Sequence, residues 1–373
     1  MAITAGVALL SAATTSAFAI AAGTYVAGAF LTSFMISFAL GAAMKALIPK
    51  PSISGGNRGY QTNSLGPAQD HQIIYGKMRV GGAIVFDEAT GDNNKFLHRI
   101  IAVAGHEVQS FDEIYINDEV VTLDGSGNVT SPSQYNSKVR INVHLGSPDQ
   151  TADSDLTSES DKWTSNHRLR GIAYMYVRLK FDADAFPNGI PVITATVKGK
   201  KLYDPRTSTT VWSDNPALCL RDYLTSKYGL AEDEYNIDDT LVISSANVCD
   251  QTNTLASTTR YTCNGAFTTA STPYDMLSEI LKSMGGSMWY AQGKWRMKPA
   301  YWTAPVMDLS EDDLRSSISV GTRHSRRDNF NVIKGTFRGE ESNWQTTDYP
   351  QVTNSAFLSA DNNQESVADV DLI

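Results

Sequence analysis

The run RGIAYMYVRLKFDADAFPNGIPVITATVKGKKLYDPRTSTTVWSDNPALCLRD, residues 170–222, decides how this chain is read. Two β-rich stretches, Ile172 to Phe181 and Pro191 to Gly199, are joined by an Asn188-Gly189 turn, and Asn215-Pro216 then opens a helix. Ile172, Tyr174 and Tyr176 alternate along one side of the first strand. Arg178, Lys180, Lys198, Lys200 and Lys201 gather toward the strand ends. No nucleophile sits beside a base here; the stretch is a sheet feeding a helix, which is a scaffold.

Working outward, 373 residues are enough for two or three domains, each burying its own core. The three cysteines, Cys219, Cys249 and Cys263, form no CxxC pair and no zinc-finger spacing, so buried free thiols are expected. Cys249 and Cys263 flank a loop, and their pairing stays open. A net charge of -9 opposes a general nucleic-acid surface, which needs a basic footprint. The charge is also unevenly placed, since residues 1–44 carry none.

That N-terminal segment is rich in Ala, Gly, Ser and Thr and long enough for one tilted span or a tight helical hairpin. A signal peptide would need a basic start, and no Lys or Arg precedes Lys45. A membrane anchor and a helix packed on copies of itself remain, and Gly23 and Ala27, four apart, are the expected bundle contacts. The linker PSISGGNRGYQTNSLGPAQDHQ, residues 51–72, separates this segment from the rest.

Residues 73–148 carry β patterns at Ile73 to Tyr75, Gly82 to Phe86, Phe96 to Val103, Glu113 to Ile116 and Arg140 to His144. Gly81-Gly82 after Arg79 lacks a phosphate-loop pattern and is expected to kink the chain into a strand. The acidic run 146–168, with Trp163 its only aromatic, is expected to be a solvated loop. Downstream, helices are expected at Asn215 to Lys227, Asp238 to Cys249 and Tyr274 to Met284, with Met276, Leu277, Ile280, Leu281 and Met284 on the buried side of the third. A hairpin follows at Ser287 to Tyr290 and Lys294 to Lys298, whose Met288, Tyr290, Trp295 and Met297 are expected in a core. The last strand is Asn331 to Phe337, after a basic cluster of Arg323, His324, Arg326 and Arg327.

No hydrolase, metalloprotease, P-loop or dinucleotide motif is present. His71, His98, His106, His144, His167 and His324 are scattered. Acid clusters at Asp87-Glu88, Asp112-Glu113, Asp118-Glu119 and 311–313 raise a glycosidase alternative, which needs two carboxylates across a cleft. Adjacent acids in turns are normally solvated, so no catalytic residue, cofactor or metal is assigned.

The runs YVRLKFDADAFPNGIPVITATVKGKKLYDPRT (176–207), NPALCLRDYLTSKYGL (215–230), CDQTN (249–253) and YTCNGAFTTASTPYDMLSEILKSMGGSMWYAQGKWRMKP (261–299) together resemble the central tail hub, or tail tip attachment (host specificity), family of long-tailed phages of the lambda type. The resemblance covers roughly Ile73 to Phe337. It implies an α+β, mostly β fold: tube-like β-barrel or sandwich hub domains, a helix-containing second domain and the N-terminal apolar helix. The expected divisions are 1–48, a strap at 49–72, a β-rich domain at 73–205, an α+β domain at 206–345 and a polar tail at 346–373.

The family pattern also implies a homotrimeric ring at the distal end of the tail, assembled in the host cytoplasm, contacting tube-closing distal tail proteins and the tape measure protein. DNA passes through such a lumen without a sequence-specific site. Lys198, Lys200, Lys201, Arg323, Arg326 and Arg327 are then expected subunit or lumen contacts. The chain departs from the pattern in its apolar start, expected to bundle on the threefold axis or to meet the host membrane, and in stopping at Ile373, which puts receptor binding elsewhere. An envelope-degrading enzyme such as a peptidoglycan hydrolase is the alternative, and a host membrane protein with a periplasmic β domain a third reading.

Overall fold

The computed structural model describes residues 61–65, 69–253, 258–313, 315–316 and 329–371. Gly23, Ala27 and the rest of the apolar segment, together with Arg323, Arg326 and Arg327, lie outside the described residues. Two compact units are present, one of residues 61–73 and 79–198, the other of 74–78 and 199–371.

The first unit is built on β1 (Asn63–Leu65), β2 (Gln72–Tyr75), β3 (Lys77–Val80), β4 (Gly82–Thr90), β5 (Phe96–Ala104), β6 (Val108–Ile116), β7 (Glu119–Leu123), β8 (Val129–Ser131), β9 (Val139–His144), α1 (Ser154–Glu159), β10 (Ala173–Lys180) and β11 (Ile193–Asp204). One sheet has the order β1-β4-β5-β10-β9, and in a second β11 lies beside β6, followed by β7 and β8. Apart from β2, which joins neither, these strands make two sheets and no closed barrel among the described residues, which corrects the barrel half of the expectation. Gly81 and Gly82 turn the chain from β3 into β4, and a Cβ on either would strike the carbonyl oxygen of Thr62 or Ala102.

The Asn188-Gly189 turn closes no hairpin. Both edges of β10 are already taken, by β5 and β9, so the chain must leave that sheet before β11 starts in the other. A two-residue hairpin turn is found instead at Asn117-Asp118, with φ of 49° and 70°, between β6 and β7.

Strand β10 is buried on both faces. Met175, Val177 and Leu179 fill one side, and Tyr174 and Tyr176 the other. What covers the tyrosine face is the acidic run expected to be solvent-exposed. Residues 146–172 form a strap whose base is tied by Gln150: its Nε2 donates to the carbonyls of Arg168, Leu169 and Ile172 at 2.9–3.3 Å, and its Oε1 accepts from Gly146 N at 2.8 Å. Asp153 caps α1 by accepting from Leu156 N. Leu156 and Trp163 then pack on Ile100, Tyr174 and Tyr176. The acids pair with the sheet: Asp153 with His144 at 2.8 Å, Asp155 with Asn142 at 2.9 Å, and Glu159 with Arg140 and Arg178 at 2.8 Å each. Burial pushes the His98 pKa down, with the Glu159 carboxylate opposing, and holds the ring toward its neutral form.

In the second unit, Lys201 to Asp204 of β11 pair with β12 (Thr209–Trp212). Then come α2 (Pro216–Thr225), α3 (Asp239–Cys249), β13 (Thr252–Asn253), β14 (Thr258–Thr259), β15 (Gly265–Thr268), α4 (Pro273–Ser283), β16 (Ser287–Ala291) and β17 (Lys294–Lys298). Each of the three longer helices starts within a residue of its expected start, after a side chain that caps it: Asn215 accepts from Ala217 N, Asp238 from Leu241 N and Thr272 from Asp275 N. Gly285, at φ 55°, ends the last of them. Cys219, Cys249 and Cys263 are buried free thiols.

The C-terminal part carries β18 (Val332–Lys334), β19 (Thr336–Phe337), β20 (Thr347–Asp348), β21 (Val352–Thr353), α5 (Ser355–Ala360) and β22 (Val367–Asp369). The polar tail is therefore structured, with β18 held between β21 and β22. Among the described residues no helix is long and apolar enough to cross a membrane.

Gly199 marks a close backbone crossing in this unit. Its N–H donates to the Gly76 carbonyl at 2.7 Å, and a Cβ at 199 would strike the carbonyl of Ile74. Gly199→Ala should therefore cost about 1–3 kcal/mol, the usual penalty for overpacking, and a thermal unfolding scan against wild type reads that loss directly.

Candidate assembly interface

The sequence-expected contact lysines fall into different settings. Lys200 is internal to the second unit: its Nζ lies 2.8 and 2.9 Å from the two Asp222 oxygens and 3.2 Å from Ser226 Oγ, and it also bonds the Tyr228 hydroxyl. Tyr75 and Tyr228 each donate to Asp222 Oδ2 at 2.7 Å. Phe267 packs on both of these rings and on Tyr223, at centroid distances of 5.6–6.1 Å. Burial first, and the Asp222 charge second, raise the pKa of both Tyr75 and Tyr228, so the hydroxyls stay protonated donors. This is a closed structural network around one carboxylate. Lys198 is more open, with Asp112 at 3.7 Å, and Lys201 is half-buried on β11.

Several of the acids suspected of hydrolytic chemistry are bound to other partners, while Glu311, Asp312 and Asp313 lie exposed. Asp87 is paired with Arg99 at 2.6 Å, and Glu88 accepts from Ser160 and pairs with Lys162. Asp118 pairs with Arg79, whose guanidinium lies over the Tyr115 ring. Glu113 accepts from Tyr115. None of these contacts sets two carboxylates across a cleft. Among the described residues no three His, Cys, Asp or Glu side chains converge as a metal site would require.

The unsatisfied part of the second unit is apolar. On α4, Ile280 is buried with Met284 just after it, but Met276, Leu277 and Leu281 are only half-buried, and Tyr274 is 79% exposed. With Met288 and Gly285, the residues Tyr274, Leu277 and Leu281 line an open groove. The hairpin β16-β17 sets Met288 opposite Met297 and Tyr290 opposite Trp295. Only Met297 of these four is buried, which corrects the core expectation. A two-stranded hairpin has few neighbours to cover it, and Tyr290, 5.1 Å from the Trp295 ring, stays 56% exposed. Beyond it, Trp302 is 79% exposed, Val306 fully exposed, and Met307 and Leu309 open as well. Exposed large apolar side chains of this kind are the usual material of an interaction surface. The sequence signal was the hairpin's aromatic and Met content, which periodicity assigns to a core without saying whose.

Charge reversal separates folding from assembly. Lys200→Glu should cost about 3–5 kcal/mol, because it leaves the Asp222 carboxylate without its cation inside a tyrosine cluster. Lys198→Glu should cost about 1 kcal/mol or less as a surface pair. Chemical denaturation midpoints of the two variants measure the difference.

No family model matches the sequence. The baseplate hub protein pb3 of Escherichia phage T5 is 23% identical over 353 residues, covering 74% of this chain and 36% of pb3. The chain thus spans little more than a third of that relative's length. A chain of the virion of a native gene transfer agent (GTA) particle aligns with a TM-score of 0.52 and 13% identity, over 92% of this chain and 80% of that one. At that identity the likeness is one of fold. The resemblance marked out by residues 170–299 holds: this chain resembles the tail-hub proteins of long-tailed bacteriophages.

Proposed function

We propose that this chain is a structural subunit of the hub at the distal tip of a phage tail, where copies of it close the tail tube and take part in host attachment and genome ejection. The observation that carries the proposal is the exposed apolar surface of the second unit, from Tyr274 through Leu309. Side chains such as Trp302 and Val306 cost free energy in water at roughly 25 cal/mol per Å². A repeating assembly buries them. The likeness to a phage baseplate hub protein and to the fold of a particle chain supports the same reading.

Three copies in a ring is the stoichiometry the tail-hub resemblance favours, with the distal tail proteins and the tape measure protein as neighbours. Residues 1–44, free of charge, would line or seal the axis or meet a host membrane. An envelope-degrading activity draws no support from the acid pairs, each of which is occupied by a cation or a hydrogen-bond donor.

The test is incorporation. Full-length chains carrying Tyr274→Asp and Trp302→Ser, both at exposed positions, should keep the wild-type stability within about 1 kcal/mol, as surface changes do, yet be absent from purified tails when supplied in place of the wild type. Normal incorporation of the double variant would remove the basis for this interface.

A further inference from the structure

Register places Arg140 on β9, Arg178 on β10 and His98 on β5 in one transverse row, because Arg178 is the pairing partner of both. Two guanidinium groups directly opposite each other repel. The row therefore needs an anion, and Glu159 supplies it from the last turn of α1. Its Oε1 accepts from Arg140 Nη2 and Arg178 Nη1 at 2.8 Å each, while its Oε2 faces the Tyr176 hydroxyl at 3.4 Å and His98 Nδ1 at 3.8 Å. The floor beneath is set by the sheet itself. Tyr176 and His98 are fully buried and bonded at 2.8 Å, and Thr90 holds the other ring nitrogen at 2.6 Å. Donor capacity is left over as well: the buried Arg140 Nε makes no hydrogen bond although Asp155 lies 3.3 Å away.

We propose that Arg140, Arg178, Tyr176 and His98 form a carboxylate-binding site that Glu159 fills in cis, and that an acidic side chain of a protein partner takes when the strap is displaced. The cationic row belongs to the sheet, so it persists when the strap leaves. The group it suits is planar with two oxygens, one between the arginines and one toward the phenol. A tetrahedral, doubly charged phosphate would turn its remaining oxygens toward the apolar Ile100, which stays with the sheet and where burial without partners is costly.

Anion rescue of the full-length Glu159→Ala variant tests this, with acetate as the probe. Its thermal midpoint, lowered relative to wild type, should rise saturably with acetate at constant ionic strength against chloride. Wild type, in which Glu159 competes for the same site, should rise less. Glu159→Gln, whose amide still occupies the site, should not be restored. No acetate-specific rise, or an equal rise in wild type, overturns the site, and a larger rise with inorganic phosphate overturns the carboxylate assignment. If the alanine variant does not fold, hydrogen exchange of the wild type gives the answer. Amides of residues 154–163 should exchange faster in molar acetate than in chloride while those of β10 do not, and equal rates in the two salts overturn the proposal.

Discussion

The second unit is organised around one carboxylate. Asp222 accepts from Lys200, Tyr75 and Tyr228 at once, and these groups come from β11, β2 and the end of the α2 segment. A buried ion pair gives little net stability on its own, because desolvation offsets most of the Coulomb gain. What it gives is position. Once Asp222 is desolvated it tolerates only an arrangement in which the ammonium and both phenols point inward, so the helix cannot slide or rotate on the strand without leaving a charge unpaired. The aromatic packing of Phe267 follows from that fixed geometry.

The first unit meets a related constraint on a sheet. β10 has neighbours on both edges and side chains on both faces, yet one of its faces carries Arg178 beside Arg140, a pairing that a solvated sheet could leave apart and a covered one cannot. Covering that face with an ordinary apolar layer would strand two guanidinium groups. An acidic strap does both jobs: Leu156 and Trp163 supply the apolar cover, and Asp155 and Glu159 the counter-charges. Its composition follows from the surface beneath it.

This explains which parts of the fold were legible in the sequence. The helices of the second unit were, to within a residue of their starts, because Asn215, Asp238 and Thr272 act on backbone groups two or three residues away and leave a local signature. The strands read as alternating runs were also found near their observed places. The strap was not, since a six-residue helix is too short to show a period, and the cations that make its acids structural lie 15–20 residues away on strands whose register the sequence does not display. Lys200 shows the same limit. A lysine near a strand end reads as a surface charge until the fold brings Asp222 to it. The Asn188-Gly189 turn failed for a topological reason, because a turn signal specifies reversal and says nothing about whether the neighbouring edge is free.

Set beside one another, the two buried polar networks and the open apolar surface divide the molecule's chemistry in a way that bears on what it does. Asp87, Glu88, Glu113 and Asp118 are satisfied by Arg, Ser, Lys and Tyr, and satisfied groups of that kind fix a shape. The large side chains that remain exposed, Tyr274, Tyr290, Trp302 and Val306 among them, gain most by association, because nothing within the described residues covers them. Rigid units with an uncovered apolar surface suit a part that must hold its form while joined to others. For a subunit of a tail hub, those are the two physical demands that matter.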